Sequence, residues 1–203
     1  MADLYNKFAV RTKHTDVVLI VEGKKLHVVK EYLARRSPKF AEMFKDDEEV
    51  EIEEVEYEQF VNLLSVIHSG GTQITASSVE HLLELAVKYD VKSARDESEQ
   101  FLMRTNKFSI EEKLSLADKF DLQNLQDHCL NSFSCINNIS ALMPLPEYVN
   151  LSGAMKGAIR LRVMELLRGV DGGHTCTCHH NDPTGHHNGH VGQDSCFVRR
   201  RED

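Results

Sequence analysis

The 203-residue sequence contains no tryptophan, and aromatic residues make up only 7% of it. No stretch approaches the ~20 uninterrupted apolar residues that a membrane-spanning helix requires, which argues against a membrane protein. The first seven residues lack a basic region followed by an apolar one, so we expect no secretory signal. We therefore expect an intracellular protein, cytoplasmic or nuclear or both, with its five cysteines reduced.

The sequence has fewer basic than acidic residues, with 24 Lys and Arg against 32 Asp and Glu, which gives a net charge of −8. Nucleic-acid affinity depends on Lys and Arg that neutralise phosphates, so the charge balance argues against a nucleic-acid partner. Nine acidic residues crowd positions 46–58 without the offsets of a calcium loop, which indicates a solvated surface.

Motifs of catalysis are missing too. The sequence has no glycine-rich phosphate loop, no Gly-x-Ser-x-Gly and no His-Glu-x-x-His. His128 and Cys129 are adjacent, and neighbouring helix positions point about 100° apart, so they do not form a base–nucleophile pair. We interpret Cys129 as a buried core residue. The sequence therefore predicts a protein that is not an enzyme and needs no cofactor.

The composition changes near residue 169. Residues 171–203 hold six of the 11 histidines and three of the five cysteines, but only six apolar residues. Such a segment buries too little surface to offset the entropy of ordering, so we expect a disordered tail over residues 169–203. The tail also holds the only metal-ligand candidates, and their Cys-x-Cys spacing is tighter than that of structural zinc sites: Cys176, Cys178, His179 and His180. A tail without a specific metal site is the favoured interpretation, and metal handling remains the alternative.

The folded part begins with strand patterns. Two β-branched runs between Asp16 and Val29 are joined by a glycine-containing turn, which predicts a β-hairpin. The first run is apolar throughout, which favours burial on both faces. Ser37-Pro38 is typical of a helix start, and the alternation around Val50 and Ile52 predicts a half-buried strand with an acidic outer face.

Helical periodicity dominates from residue 57 onward. Ser77 with Glu80 and Ser109 with Glu112 have the spacing of capping boxes. The segments 83–91 and 114–122 resemble each other at an offset of 31 residues, which predicts two helical hairpins that stack on one another. A last helix is expected over residues 153–168. Strands followed by helices indicate an α+β fold, a small sheet flanked by a helical cluster.

In this order and spacing the sequence resembles the BTB/POZ family. The resemblance rests on five segments in the first half of the chain: 15–19, 36–44, 50–52, 67–70 and 85–89. A sixth segment, 139–144, resembles the nematode-type BTB subgroup. Residues 109–133 are similar to the helical extension that follows BTB domains in cullin adaptors. The resemblance implies an N-terminal segment over 1–14, a BTB domain over 15–104, a helical extension over 105–168 and the tail over 169–203.

The resemblance also implies partners and sites. Family members dimerise, as homodimers or BTB heterodimers, around a pocket whose Asp and basic residue correspond to Asp16 and Lys30. Many members bind cullin-3, and the corresponding contact candidates here are Met43, Phe44, Asp46, Glu48 and His68. Val29 stands where many members have His. The loop over 45–49 is short and lacks the hydrophobic-x-Glu motif of adaptors.

Three hypotheses follow from the sequence. The leading one is a dimerising substrate adaptor of a cullin-3-type RING ubiquitin ligase, which brings an unknown protein substrate to the ligase. The second is a BTB oligomerisation regulator without a ligase link. The third is metal handling through the His/Cys tail.

Overall fold

The computed structural model describes residues 8–45, 48–69 and 74–170. Residues 169–170, the first two of the predicted disordered tail, are helical, so the tail prediction is wrong there; the rest of the tail, 171–203, with its four metal-ligand candidates, lies outside the described residues. The chain divides into two compact units, Met1–Phe108 and Ser109–Asp203. In the described part, every helix is too short or too polar to cross a bilayer.

The predicted hairpin is confirmed. Strand β1 (Val17–Val21) pairs antiparallel with β2 (Lys24–Val28), with Leu19 opposite Leu26. The two turn residues, Glu22 and Gly23, both have positive φ angles, 49° and 73°. Two left-handed residues in succession match the right-handed twist of a hairpin, and glycine adopts this conformation without strain.

A third strand completes a small sheet. Strand β3 (Glu49–Ile52) runs parallel to β1, which gives the strand order β2-β1-β3. Parallel pairing requires a crossover, and two short helices between β2 and β3 provide it. The sheet belongs to the first unit, with helices following it in the chain, which confirms the predicted α+β class.

The expectation that β1 is buried on both faces is wrong. Its inward residues are fully buried, whereas Val18 and Ile20 on the other face are only half-buried. The Lys25 ammonium reaches from β2 to the Glu49 carboxylate on β3, at 2.8 Å, on the outer side of the sheet. The ammonium donates a hydrogen bond to this carboxylate and holds the pKa of Glu49 below its ordinary value. Charged side chains, rather than a second layer, therefore flank the outer residues of β1.

The described residues of the first unit also form the helices α1 (Lys30–Ala34), α2 (Pro38–Met43), α3 (Tyr57–Ser69), α4 (Val79–Lys88) and α5 (Lys92–Arg104). Ser37 caps α2 as predicted, because its hydroxyl oxygen accepts from the Phe40 amide at 3.0 Å. The same hydroxyl donates to the Tyr89 carbonyl, which ties the start of α2 to the end of α4.

Aromatic rings form the centre of the first unit. Phe40 stacks on Phe44 and on Tyr89, with ring centroids 5.7 and 5.2 Å apart. Phe60 meets Tyr89 edge-to-face at 5.4 Å. All four rings are at most 3% exposed, and burial raises the pKa of Tyr89. Such pairs add to the stabilisation from buried area.

The second unit is helical: α6 (Ile110–Phe120), α7 (Gln123–Ser132), α8 (Ile136–Ser140), α9 (Pro146–Asn150) and α10 (Gly153–Val170). The predicted last helix is confirmed as α10. Its start is fixed by Asp118 of α6, whose carboxylate accepts from the Ser152 amide at 2.6 Å. Its middle is fixed by Arg162, which donates to the Leu130 and Phe133 carbonyls at 3.1 and 3.0 Å.

The two predicted capping boxes have different outcomes. At α6 both reciprocal bonds form: the Glu112 amide donates to the Ser109 hydroxyl at 3.2 Å, and the Ser109 amide donates to the Glu112 carboxylate at 2.7 Å. At α4 the prediction is wrong, because the N-cap is Ser78 and its side chain makes no capping bond. The Ser78 hydroxyl instead accepts from the Thr75 amide at 3.1 Å and stabilises the turn before the helix.

The internal repeat is confirmed in backbone geometry. The α4–α5 connection places Asp90 at φ 49°, and the α6–α7 connection places Asp121 at φ 53°. In each, the following residue donates back to the helix at 2.8 Å, Val91 to Ala86 and Leu122 to Ala117. All corresponding positions differ by 31 residues. The hairpins belong to different units, and their stacking stays a prediction.

Candidate interaction surfaces

Asp16 and Lys30, the predicted dimer-pocket pair, lie next to each other. Asp16 precedes β1 and is exposed, and its backbone amide donates to the Val28 carbonyl at 3.1 Å. Its carboxylate accepts from the backbone amide of Lys30, the first residue of α1, at 2.7 Å. The N-cap of α1, Val29, has no side-chain capping bond.

This contact gives Asp16 a local structural role. A carboxylate at a helix N-terminus satisfies an unpaired amide and interacts favourably with the helix dipole. The partner is the Lys30 amide in this contact, while the Lys30 side chain is half-buried. Sequence reasoning missed the capping role because 14 residues separate the acid from the helix it caps.

The candidates around the end of α2 differ in exposure. Met43 is half-buried against the core of the first unit, and Phe44 is fully buried, at 0% exposure. Glu48 is exposed, and its carbonyl accepts from the Val18 amide at 2.8 Å where β3 begins. Asp46 lies outside the described residues. Met43 and Glu48 thus offer side-chain surface to a partner, whereas Phe44 lies beneath that surface.

His68, in the last turn of α3, lies in a column of rings. Its imidazole stacks on Tyr32 of α1, with centroids 4.3 Å apart and planes 10° apart. The Tyr32 hydroxyl donates to the Ile67 carbonyl at 3.0 Å, which fixes the ring against α3. The guanidinium of Arg36 lies 3.9 Å from the centre of the Tyr32 ring, a cation–π contact.

Phe8 adds to this column from the start of the described chain. It is 3% exposed, and its ring lies 5.2 Å from the His68 ring at a tilt of 48°. From the sequence, His68 was predicted as a contact residue, whereas its neighbours Tyr32, Arg36 and Phe8 were missed. Phe8 lies on one segment, Tyr32 and Arg36 lie four residues apart on another, and both segments are far from His68 in sequence, so no sequence period relates them to it.

The geometry of the described helices offers no nucleophile at Cys129. The thiol is 2% exposed, and burial raises its pKa to about 11, although the nearby Lys113 ammonium opposes the shift. It is therefore protonated at neutral pH, and the adjacent His128 is exposed. Across residues 8–45, 48–69 and 74–170, no three His, Cys, Asp or Glu side chains are grouped to hold a metal ion.

Comparisons with known proteins agree on one family. A model of the BTB/POZ domain matches residues 5–107. BTB and MATH domain-containing protein 38 of Caenorhabditis elegans is 36% identical over 169 residues, 80% of this chain and 44% of that protein. Protein 36 of the same series and species is 33% identical over 159 residues, 75% of this chain and 50% of that protein. The chain thus spans about half the length of the curated relatives it matches.

More distant proteins match smaller parts. Kelch-like protein 24a of Danio rerio is 25% identical over 151 residues, 71% of this chain and 24% of that protein. The BTB domain of human Gigaxonin is 18% identical with a TM-score of 0.41, covering 49% of this chain and 87% of that one. The BTB domain of zebrafish PATZ1 is 17% identical with a TM-score of 0.44, covering 51% and 87%. The family-model match alone covers just over half of the 203 residues, and the chain belongs to the BTB/POZ domain family.

Proposed function

We propose that this chain is a protein-interaction and dimerisation module that acts as a substrate adaptor for a cullin-3-type RING ubiquitin ligase, and that it catalyses no covalent step itself. Such an adaptor raises the effective concentration of a substrate beside the ligase, and dimerisation adds avidity. A protein substrate is the third component, and its identity does not enter the tests below.

One observation carries this proposal. The similarity to the Kelch-like relative covers 71% of the chain, more than the family-model match, so it extends past residue 107 into the second unit. That unit begins with the capped α6–α7 hairpin. A BTB domain followed directly by helical hairpins is the arrangement that the resemblance to cullin adaptors implies.

The residues around α2 support a contact surface for cullin-3. In this proposal Met43, Glu48 and His68 touch the cullin, and two buried or packed rings hold them in place. Phe44 supports the end of α2 through its stack on Phe40, and Tyr32 orients His68 at 4.3 Å. Asp46 completes the proposed surface as a further contact residue.

Binding of the full chain to the N-terminal region of cullin-3 tests the adaptor role. We expect a complex with a dissociation constant of about micromolar or below, measured by isothermal titration calorimetry. Glu48→Arg is expected to weaken it at least about tenfold, because reversing an exposed charge at a contact removes the electrostatic complementarity that speeds association and selects the partner. Glu51→Arg is the matched control, since Glu51 is an exposed acid on β3, the strand that Glu48 directly precedes, and is not among the contact candidates. Absence of a complex at tens of micromolar would remove the adaptor role.

In the dimerisation part of the proposal, the contact between two copies buries the Asp16 carboxylate, which is exposed in the single chain, beside the Lys30 side chain, because a carboxylate removed from water is costly without a nearby cation. Light scattering with size exclusion should give twice the chain mass. Asp16→Asn keeps an acceptor for the Lys30 amide but removes the charge, so it should weaken the dimer while α1 stays capped. Asp16→Ala removes both the acceptor and the charge, so it should weaken the dimer and also leave the Lys30 amide without its cap. A monomer of the unaltered chain at every accessible concentration would contradict dimerisation.

The exposure pattern also favours a second candidate, an oligomerisation regulator without a ligase link. Of the five contact candidates, Phe44 is fully buried, and the connection between α2 and β3 is only a few residues long. This candidate forms homodimers or mixed dimers with other BTB chains and binds no cullin. Dimers by light scattering, together with no heat of binding to cullin-3, would favour it over the adaptor.

A further inference from the structure

The outer side of α10 carries an exposed apolar stripe. Leu161, Met164 and Leu167 are 64%, 50% and 50% exposed, although each is a large hydrophobic residue. They are spaced three residues apart, so they fall within about 120° of the helix circumference. Scattered single hydrophobic residues are ordinary on a surface, but a contiguous stripe marks an interaction site.

The opposite side of α10 packs against the other helices of its unit. Met155 and Ile159 are 1% and 0% exposed, and Arg162 is hydrogen-bonded to the carbonyls at the end of α7. These anchors fix the rotation of the helix within its own unit. These anchors leave the stripe on the outside of that unit.

Positive charge is interleaved with the stripe. At 100° per residue, Arg160 falls between Leu167 and Met164 on the helix circumference, and Arg168 falls between Met164 and Leu161. Both arginines are exposed, and neither forms an ion pair with another described residue. The one acid of α10, Glu165, is held by Arg162 at 3.0 Å. Within the described residues, the stripe therefore presents two arginines that no carboxylate pairs with, in a chain whose net charge is −8.

At the N-terminal end of the same face, two glycines leave space in which the backbone of a partner helix could pack against α10. Gly153 and Gly157 lie in the same angular sector, and a Cβ at either position would meet no neighbouring atom within 4 Å. Helices approach closely where side chains are small. A helix laid along α10 would thus pass over two glycines and then three large apolar side chains.

The arginines and apolar residues of the stripe indicate which kind of helix can bind there. A second copy of α10 would bring the same arginines and no free carboxylate, so like charges would meet across the contact. A segment with apolar residues at helical spacing and acids beside them would satisfy both features of the stripe. We propose that the outer face of α10 binds an amphipathic, acidic helix of a partner protein.

The test uses the full chain and labelled synthetic peptides of two heptads, with leucine at the apolar positions and glutamate at the flanking ones. A second peptide has lysine in place of glutamate. Fluorescence anisotropy should show saturable binding of the acidic peptide, at least about tenfold tighter than the basic one, and weakening with added salt. No binding of the acidic peptide, or equal binding of the two, would overturn the proposal.

Variants locate the site. The double variant Leu161→Ser, Met164→Ser should reduce affinity at least about tenfold, and so should Arg160→Glu, Arg168→Glu. All four residues are exposed, so the thermal unfolding midpoint should not fall. Val87→Ser, at a residue 54% exposed on α4, and Arg104→Glu at the end of α5 are matched controls that should change affinity less than about twofold.

One further outcome would contradict the choice of partner. If the chain self-associates in light scattering, and the Leu161→Ser, Met164→Ser variant abolishes that association, the stripe is a contact between copies. Unchanged peptide binding in that variant would equally reject the α10 face as the site. Neither result depends on cullin-3, so this proposal and the adaptor proposal can fail separately.

Discussion

The α4–α5 and α6–α7 hairpins have the same turn but differ in how they begin and in what surrounds them. Both turns place an aspartate in the left-handed region and close with an identical 2.8 Å backbone bond. Of the two, α6 begins with a capping box and α4 does not, and α4 ends at Tyr89 in the ring cluster with Phe40 and Phe60. The comparison teaches that a turn motif can be repeated while the interactions that stabilise each copy are not.

The aromatic position of the repeat should show the largest difference. Tyr89 and Phe120 correspond at the offset of 31, but Tyr89 is 3% exposed and contacts Phe40 and Phe60, whereas Phe120 is 7% exposed with the Lys119 ammonium 4.8 Å from its ring centre. Tyr89→Ala should cost about 4 kcal/mol of unfolding free energy and Phe120→Ala about 3 kcal/mol, measured by urea denaturation.

Tyr89→Phe is the control for this pair. It keeps the ring and removes only the hydroxyl, so it should cost less than about 1 kcal/mol if ring packing dominates. If Phe120→Ala lowers the free energy of unfolding as much as Tyr89→Ala or more, the expected difference between the two hairpins is contradicted.

The caps should show the second difference. Ser109→Ala removes the hydroxyl that accepts from Glu112 and should cost about 1 kcal/mol. Ser78→Ala removes only turn bonds to Thr75, since Ser78 makes no capping bond, and should cost about half as much. Urea denaturation gives the free energies, and Ser109→Thr, which retains the acceptor, should restore most of the loss. Equal costs at the two serines would show that the capping box has no special role here.

Substitutions at the two turn aspartates should have similar and small effects on the stability of the chain. Asp90→Gly and Asp121→Gly each relieve a left-handed backbone, and should each stabilise the chain by about 0.5 kcal/mol. Asp90→Val and Asp121→Val should destabilise it, because β-branched residues are disfavoured at positive φ. Thermal unfolding of the four variants checks this. A difference in sign between the two turns would mean that surrounding contacts, and not the turn, set the effect.

Local patterns were predicted well. The hairpin between Asp16 and Val29, the Ser37-Pro38 start and the Ser109 capping box depend on residues close in sequence, and all three are confirmed. The Ser77 capping box failed because the next residue, Ser78, is an equally good N-cap by type. Sequence spacing alone could not choose between adjacent serines, and the bonds of Ser78 to Thr75 decided the boundary.

Long-range pairings were not predicted. The resemblance selected His68 and Asp16, but the ring stack of His68 with Tyr32 joins segments 36 positions apart, and the Asp16 carboxylate caps a helix that begins 14 residues later. The half-exposure of Val18 and Ile20 was also missed, because apolarity of a strand indicates what could be buried and not what covers it.

By itself the sequence determined the order of strands and helices, the repeated turn and the family, because periodicity, caps and turn residues act over a few positions. Only the tertiary structure decided that Asp16 caps α1, that Phe44 lies beneath the surface while Met43 and Glu48 reach it, and that Leu161, Met164 and Leu167 of α10 are left exposed by the other described residues. The physical reason is that exposure and long-range contact depend on how separate elements pack, and residues far apart in sequence carry no common period that would reveal it.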